Sequence, residues 1–378
     1  MKKVLLVAHV SGFVPQFELN NVKILQELGY EVHYASNFMT PAYGYDNERL
    51  KDTGIILHQV DFVKLPISIN TIHAKKQMDA LFRMNHFNLV HCHTPMGGAL
   101  ARICAAPYRK KGTKIIYTAH GFHFYHGAPL SKWIFYPAEW LLSFKTDVQI
   151  CINQEDINRA MKHWHSKQVK YCPGVGIDLK AVCPEKYAAD RVPLRNSLKI
   201  PETAKLLLSA GELSPRKNHA VLIRAMSFLP KDYQLLLCGE GSLRKSLEHL
   251  TEKLHLENQV HFLGYRSDIF CLMAAADIFL LPSLQEGLPH ALLEAMAMSM
   301  PVICTDIRGN RDLVDGNGGI LIKSDRHMPE TFAAAVLRMG ENKNLRNSYG
   351  SYNRRKAEGF NLSKVDAVMR RIYSSVTE

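Results

Sequence analysis

Residues 278–304 read IFLLPSLQEGLPHALLEAMAMSMPVIC and contain the parts of a parallel β–α–β unit. The apolar runs at 278–281 and 302–304 are short and predict buried strands. The loop between them leads through Pro289 into a run of helix-forming residues. A strand, a covering helix and a second strand in this order predict a parallel sheet covered by helices.

The same alternation of short apolar runs and longer amphipathic stretches extends along the chain in two blocks. The first block predicts strands at 3–8, 31–35, 55–60, 89–91 and 114–119, with an amphipathic stretch at 19–28. The second block predicts strands at 205–210, 234–238, 259–263, 278–281 and 302–304. The pattern pauses at 173–195, and 378 residues exceed one ordinary core. We therefore predict an α/β fold with two Rossmann-like domains, residues 1–180 and 190–360, facing across a cleft.

Composition places the chain among globular proteins. It is 47% hydrophobic and 22% charged, without repeats or low-complexity tracts, which argues against disordered and solenoid classes. The opening apolar run lacks the cleavage site of a signal peptide and is interpreted as a first buried strand. No apolar run reaches the roughly 20 residues of a membrane-spanning helix. We expect a cytoplasmic protein that contacts the inner face of the cell membrane peripherally.

The charge balance favours an anionic partner for the first half of the chain. The formal net charge is +12, and residues 1–184 hold 21 basic and 13 acidic side chains, a net charge of +8. A phosphorylated acceptor or an anionic lipid surface fits this excess, although basic side chains also simply solvate a surface. No block of basic residues or aromatic ribonucleoprotein motif is present, so nucleic acid is not expected. The eight cysteines form no Cys-x-x-Cys pair and are interpreted as reduced, buried thiols.

Glycines follow several predicted strands, at the edge where parallel sheets bind ligands. They are Gly12, Gly121 after His120, Gly211, Gly239, Gly241 and Gly264. Each one alone is more often an ordinary turn glycine. Together they outline two sets of loops at the ends of the strands.

The loop and helix after the strand at 278–281 carry the strongest functional signal. Glu286 lies in the loop, about one turn before the helix. Pro289 suits the first helical turn, where the remaining unpaired amides can bind a phosphate. Glu294 would lie two turns above the start of the helix, within reach of a ribose attached to that phosphate.

This element and six others resemble the large retaining glycosyltransferase family 4, which has the GT-B fold. The matching segments are Thr118 to Phe122, Gly174 to Asp178, Gly211 to Lys217, Gly239 to Gly241, Phe262 to Arg266, Ser283 to Gly287, and the Glu-x7-Glu element from Glu286 to Glu294. The resemblance covers the whole chain. It implies that residues 1–180 face the acceptor, residues 190–360 bind a nucleotide sugar, and residues 361–378 form a helix packing back on the first domain.

The resemblance also implies roles for individual residues. Glu294 would bind the ribose hydroxyls, Glu286 would face C1 of the transferred sugar, and His120 would contact that sugar. Lys217 would neutralise the diphosphate. The binding set also includes Gly12, Gly239 and Gly241 in the loops, Tyr265 and Arg266 at the base, and Gly287, Leu288, His290 and Ala291 at the helix start.

One departure concerns Glu212, because many relatives carry arginine directly after the glycine that corresponds to Gly211. A carboxylate there would repel a diphosphate, so we exclude Glu212 from the site. Arg216, beside Lys217, is interpreted as the substitute, since guanidinium groups bind phosphate oxygens in pairs.

No metal ligand set and no cofactor are predicted, and the nucleotide sugar is a co-substrate. His91, His93, His123 and His126 have no carboxylate or cysteine at a ligand spacing and are interpreted as packing or surface residues. Asp-x-Asp, the metal-binding signature of the other major glycosyltransferase architecture, is absent from the sequence. Cations and a helix N-terminus would stabilise the leaving diphosphate instead.

The nature of the acceptor is inferred from an aromatic segment and from the charge of the first half of the chain. Residues 130–145 contain Trp133 and Trp140 between lysines, which fits either a membrane interface or packing within the domain. With the basic first half, this favours a polyprenyl-diphosphate-linked saccharide, and the resemblance favours a uridine donor. A water-soluble acceptor, a related epimerase and a non-catalytic nucleotide-sugar-binding subunit remain alternatives. A nicotinamide dehydrogenase is disfavoured, because Arg244 stands where the third glycine of its fingerprint belongs.

Overall fold

The computed structural model describes residues 1–40, 47–63 and 68–377, which form two compact units. Unit 1 is Met1–Gly176 together with the final residues from Ser363 onward, and unit 2 is Ile177–Leu362. The division falls within residues 173–195, where the strand pattern of the sequence pauses.

Unit 1 is a seven-stranded parallel sheet with order β3-β2-β1-β4-β5-β6-β7. Its strands are β1 (Lys2–Val7), β2 (Tyr30–Ser36), β3 (Ile56–Gln59), β4 (Leu89–Cys92), β5 (Lys114–Ala119), β6 (Val148–Cys151) and β7 (Gln168–Tyr171). Its helices are α1 (Phe13–Phe17), α2 (Leu19–Glu27), α3 (Ile69–Met84), α4 (Pro95–Ala105), α5 (Leu130–Trp133), α6 (Tyr136–Ser143) and α7 (Gln154–His163). β1 lies inside the sheet, where Val4 pairs with Val32 on one side and Leu89 on the other.

Unit 2 is a six-stranded parallel sheet with order β10-β9-β8-β11-β12-β13. Its strands are β8 (Lys205–Ala210), β9 (Tyr233–Cys238), β10 (Val260–Gly264), β11 (Ile278–Leu281), β12 (Val302–Thr305) and β13 (Gly319–Ile322). Its helices are α8 (Pro184–Tyr187), α9 (Arg191–Ser197), α10 (Ala220–Met226), α11 (Arg244–Lys253), α12 (Ile269–Ala275), α13 (His290–Ala297), α14 (Asn310–Leu313), α15 (Met328–Glu341) and α16 (Lys343–Ala357). β11 and β12 are fully buried, because helices cover both faces of the sheet.

The last helix, α17 (Leu362–Thr377), packs on unit 1 for most of its length. Its apolar side chains recur every three or four residues and therefore lie on one face of the helix. They join the core formed by β1, β2 and α2, and are Val365, Met369, Ile372, Tyr373 and Val376. This hydrophobic contact fixes the end of the chain to the first sheet.

The structure confirms two Rossmann-like parallel sheets and adds strands that the sequence did not predict. β6, β7 and β13 have four residues each, and β7 is an edge strand with no fully buried residue. Gln149 in β6, and Gln168 and Lys170 in β7, interrupt the apolar runs from which buried strands are predicted. Among the described residues, no helix has both the length and the apolar composition needed to cross a lipid bilayer.

Candidate functional site

In unit 2, the side chain of Glu286 is held between two cations. Its Oε1 lies 2.7 Å from Lys217 Nζ, and its Oε2 lies 3.1 Å from Arg216 Nη1. Glu286 is buried, which by itself would raise the pKa of its carboxyl. The charges of Lys217 and Arg216 outweigh burial and hold that pKa below its usual value. The carboxylate is therefore ionised at neutral pH.

The fold explains why these three residues meet. Lys217 and Arg216 lie in the loop after β8, Glu286 lies in the loop after β11, and these two strands are neighbours in the sheet. The backbone N–H of Leu284 donates to the carbonyl of Arg216 at 2.8 Å, which joins the two loops. At Gly211 a Cβ would stand 3.3 Å from Lys217 Cε, so the absence of a side chain leaves room for the lysine.

A third loop, after β12, packs against the loop that carries Glu286. Gly309 has φ +79°, and a Cβ on it would lie 2.3 Å from the carbonyl oxygen of Gly287. Only glycine fits this backbone conformation and this close approach. Arg308, which is buried, donates from Nε to the Glu286 carbonyl at 3.2 Å. The backbone around Glu286 is thus fixed from two sides.

Helix α13 begins at His290, so Pro289 directly precedes the helix rather than lying in its first turn. Gly287 and Leu288 lie in the preceding loop, and Ala291 is the second helical residue. The first backbone N–H groups of a helix have no acceptor within the helix and carry its positive dipole end. This is the anion-binding feature that the sequence predicts.

Glu294 lies about one turn beyond the start of α13, not the two turns expected from the sequence. Its Oε1 lies 3.1 Å from His290 Nδ1, one helical turn earlier. The carboxylate is partly exposed and lies on the helix that starts beside Glu286. It can therefore accept hydrogen bonds from a ligand bound at the helix start.

The remaining predicted residues of unit 2 occupy loops at the same edge of the sheet. Gly239 and Gly241 follow β9 and pack on the backbone of Gly211 and Leu213, respectively. Tyr265 follows β10 and is exposed, whereas Arg266 pairs with both carboxylate oxygens of Asp268. The Asp268 hydrogen bonds raise the pKa of Arg266, which remains a cation. Glu212 is exposed on the loop after β8.

In unit 1, His120 lies beside two residues that the sequence analysis did not assign to a site. His120 Nε2 lies 3.2 Å from His93 Nδ1 and 3.9 Å from Glu18 Oε1, and His93 Nδ1 lies 3.6 Å from Glu18 Oε1. His93 follows β4, His120 follows β5, and Glu18 follows β1 after helix α1. Because β1, β4 and β5 are adjacent, their carboxyl ends bring the three side chains together.

Burial shifts the titration of all three groups towards their neutral forms. It raises the pKa of Glu18 to about 7, partly opposed by a hydrogen bond from Asn21. It lowers the pKa of His120 to about 4 and that of His93 well below its usual value. Both histidines are therefore neutral at physiological pH, with lone pairs available to a ligand.

The other residues singled out in unit 1 have structural partners. His91 is buried between Tyr373 Oη and Thr118 Oγ1, each 2.8 Å from a ring nitrogen. His123 packs against Phe135, and His126 is held through its backbone N–H by Glu155. Gly12 is buried at the start of α1, in the loop after β1.

Each of the two units matches a family model of its own. Residues 3–153 match the family model described as glycosyl transferase 4-like, and residues 190–356 match the model described as glycosyl transferases group 1. The chain is 33% identical to the putative glycosyltransferase EpsD of Bacillus subtilis (strain 168), over 99% of this chain and 97% of EpsD. Two Rossmann-like sheets with this match define a glycosyltransferase of the GT-B fold.

More distant relatives agree with this class. The chain is 28% identical to a UDP-Gal:alpha-D-GlcNAc-diphosphoundecaprenol alpha-1,3-galactosyltransferase of Escherichia coli, over 79% of this chain and 78% of that one. The crystal structure of Anabaena HepE in complex with UDP and glucose superposes with a TM-score of 0.81, at 19% identity, covering 99% of this chain and 100% of HepE. The chain therefore belongs to the GT-B glycosyltransferases in which a glycosyl transferase 4-like segment is followed by a glycosyl transferases group 1 segment.

Proposed function

We propose that this protein is a retaining, metal-independent glycosyltransferase. It transfers a hexose or N-acetylhexosamine from a UDP-sugar to a polyprenyl-diphosphate-linked saccharide, in the synthesis of capsule, exopolysaccharide or O-antigen. The observation that carries the proposal is the cluster of Lys217, Arg216 and Glu286 beside the start of α13. HepE, whose fold this chain shares, binds UDP and glucose, and the E. coli relative uses UDP-Gal and a diphosphoundecaprenol-linked acceptor, as their names state.

The cluster contains the charges that departure of a diphosphate requires. Negative charge develops on the leaving group, and preorganised cations and backbone amides stabilise it without an added ion. Lys217, Arg216 and the first amides of α13 supply these positive groups. Glu286 pairs with both cations and leaves a net charge of +1 in the cluster, so a bound diphosphate shares Lys217 and Arg216 with this carboxylate.

The pairing of Glu286 with two cations supports front-face transfer, in which the acceptor hydroxyl attacks C1 from the side on which the diphosphate leaves. A nucleophilic carboxylate forms a covalent glycosyl intermediate and works with a second carboxylate as acid and base. Glu286 is held by two cations, and such a carboxylate is a weak nucleophile. In the proposed reaction Glu286 stabilises the developing positive charge near C1, while a leaving phosphate oxygen takes the proton of the acceptor hydroxyl. Glu294 binds the ribose, and His120 contacts the transferred sugar.

The lipid-linked acceptor gives a reason for the exposed apolar residues at the two ends of α5 and on α6. Trp133 and Trp140 pack against the core of unit 1, whereas Leu130, Ile134 and Leu141 are 87%, 70% and 58% exposed. These three side chains, with the net charge of +8 on residues 1–184, form the proposed contact with an anionic membrane. Ile134→Ser should weaken salt-sensitive cosedimentation with anionic vesicles. Ile72→Ser, at another exposed isoleucine, should leave it unchanged.

The proposal is tested first by thermal unfolding with a panel of nucleotide sugars. A ligand that binds only the native state raises the unfolding temperature by mass action. The stabilising UDP-sugar is then incubated with a polyprenyl-diphosphate saccharide, and the anomer of the product is determined by NMR. Transfer with retained configuration, undiminished by excess chelator, is expected.

The alternatives give different results in the same assay. Product formed without acceptor would indicate an epimerase, and binding without turnover would indicate a non-catalytic subunit. An inverted product, or activity that is lost in chelator and restored only by a divalent ion, would contradict the proposed mechanism.

A further inference from the structure

We propose that Glu18, His93 and His120 form a binding site for a Zn²⁺-type divalent ion, and that an ion bound there inhibits sugar transfer. The site uses Glu18 Oε1, His93 Nδ1 and His120 Nε2, which lie within 4.8 Å of one another. Two imidazoles and one carboxylate are an established ligand set for zinc sites that keep an open position.

The separations of the three atoms fit one ion. They are 3.2, 3.6 and 3.9 Å, and a point equidistant from the corners of such a triangle lies about 2.1 Å from each corner, which is the usual zinc–ligand distance. An ion slightly out of this plane would complete a tetrahedron with a fourth ligand. The side chains therefore need only small adjustments to bind an ion.

The fourth ligand has a place in the fold. A cavity of about 20 Å³, lined by Glu18 and His120 among other residues of unit 1, adjoins the cluster. This volume holds about one water molecule, and Thr118 also lines the cavity. Three protein ligands with one water are the arrangement of an open zinc site.

The three ligands are held in place by their surroundings. The ring of Phe13 packs against both imidazoles, with centroids 5.3 Å from His93 and 4.9 Å from His120. Asn21 donates to Glu18 Oε2 at 2.5 Å, which leaves Oε1 directed at the histidines. Thr94, next to His93, has φ +59°, a strained conformation for a threonine. Strain of this kind is concentrated at functional sites.

The consequence for activity rests on the proposed function, in which His120 contacts the transferred sugar. An ion on His120 Nε2 occupies the lone pair that faces Glu18 and His93, so the sugar loses this contact. The diphosphate is neutralised in unit 2 by Lys217 and Arg216, and the reaction itself does not need the ion. We therefore expect Zn²⁺ to inhibit and chelator to restore transfer.

The test measures binding of ZnCl2 to the full chain by calorimetry, and the visible spectrum of the Co²⁺ form reports the ligand geometry. The variants are Glu18→Gln and His93→Gln, with folding checked by thermal unfolding. His58→Gln is the matched control, because Glu31, His33 and His58 also form a cluster. There the two ring nitrogens of His33 face different partners, so the three side chains do not converge on one ion.

We expect one tetrahedral ion per chain for the unmodified protein and for His58→Gln. Each ligand variant should bind Zn²⁺ more than about tenfold more weakly and should resist inhibition. Ligand variants that bind Zn²⁺ as tightly as the unmodified protein, or a cobalt spectrum with thiolate charge transfer, would overturn the site. Specific binding without inhibition would overturn the inhibitory role. If no condition gives transfer, the proposed function fails, and the calorimetry still decides on the site.

Discussion

Glu286 in unit 2 and Glu18 in unit 1 are both buried carboxylates near the carboxyl ends of parallel strands, but their neighbours differ. Glu286 lies between Lys217 and Arg216, whereas Glu18 lies beside the neutral imidazoles of His93 and His120. Cations outweigh burial at Glu286 and lower its pKa, while burial dominates at Glu18 and raises its pKa to about 7.

This difference separates two kinds of polar site in one chain. Unit 2 offers fixed positive charge that suits a diphosphate, which is the part common to all nucleotide diphosphate sugars. Unit 1 offers a carboxylate and imidazoles, which suit a sugar hydroxyl or a metal ion. The comparison predicts different responses to the same Glu→Gln change.

The largest effect should come from Glu286→Gln. Loss of the carboxylate removes the charge proposed to stabilise C1, and turnover should fall about 10²- to 10³-fold. UDP affinity should be retained, because Lys217 and Arg216 lose an internal competitor. Saturation kinetics and calorimetry with UDP measure both quantities, and Glu341→Gln, an exposed residue on α15, is the control. Turnover close to that of the unmodified protein would show that Glu286 lies outside the reacting centre.

Glu18→Gln should change stability, and its sign should depend on pH. Because burial raises the folded-state pKa of Glu18 to about 7, the unfolded chain ionises this carboxyl from about pH 4.5 while the folded protein keeps it protonated, so unfolding becomes easier as the pH rises from about 4.5 to 7. The neutral glutamine avoids this cost, so the variant should be more stable at pH 8 by up to about 3 kcal/mol, and equal at pH 4. All three tryptophans, Trp133, Trp140 and Trp164, lie in unit 1, so their fluorescence in urea follows this unit. A variant that is less stable at pH 8 would contradict the assigned environment.

Lys217→Ala tests the cation side of the comparison. The lysine neutralises a charge that grows as the diphosphate departs, so its loss should lower turnover by about 10²-fold and affinity less. It also removes one of the two cations beside Glu286 and leaves Arg216, which should raise the pKa of Glu286. Lys245→Ala, exposed on α11, provides the control in the same saturation kinetics. A loss confined to donor affinity would show that Lys217 binds the ground state and the transition state equally.

The fold was predictable from the sequence because it depends on local patterns, whereas the residues of the cluster in unit 2 were named one by one through the family resemblance. Buried strands such as β8 and β11 are apolar runs, and Glu286 and Glu294 belong to one loop and helix. The pairing of Lys217 with Glu286 arises because β8 and β11 are neighbours in the sheet. The sequence does not specify which strands are neighbours, so this pairing was not predicted.

The cluster in unit 1 was harder to predict, because its residues are far apart in the chain. Glu18 lies 75 residues before His93, and no spacing rule connects them. The strand ends offered a partial signal, since His93 and His120 each directly follow a strand. Glu18 had none, because it lies beyond α1 and its burial arises from tertiary packing.

The binding of the sugar donor in unit 2 is tested most directly by the affinity of Glu294→Gln for UDP. The substitution keeps the size of the side chain and removes the charge from a hydrogen bond to ribose, which should cost about 1.5 to 3 kcal/mol. Calorimetry should therefore show a dissociation constant raised roughly tenfold or more. Glu330→Gln, the same change on the exposed side of α15, should leave it unaltered. A Glu294→Gln protein that is folded and binds UDP as tightly as the unmodified chain would place the nucleotide elsewhere and contradict the account.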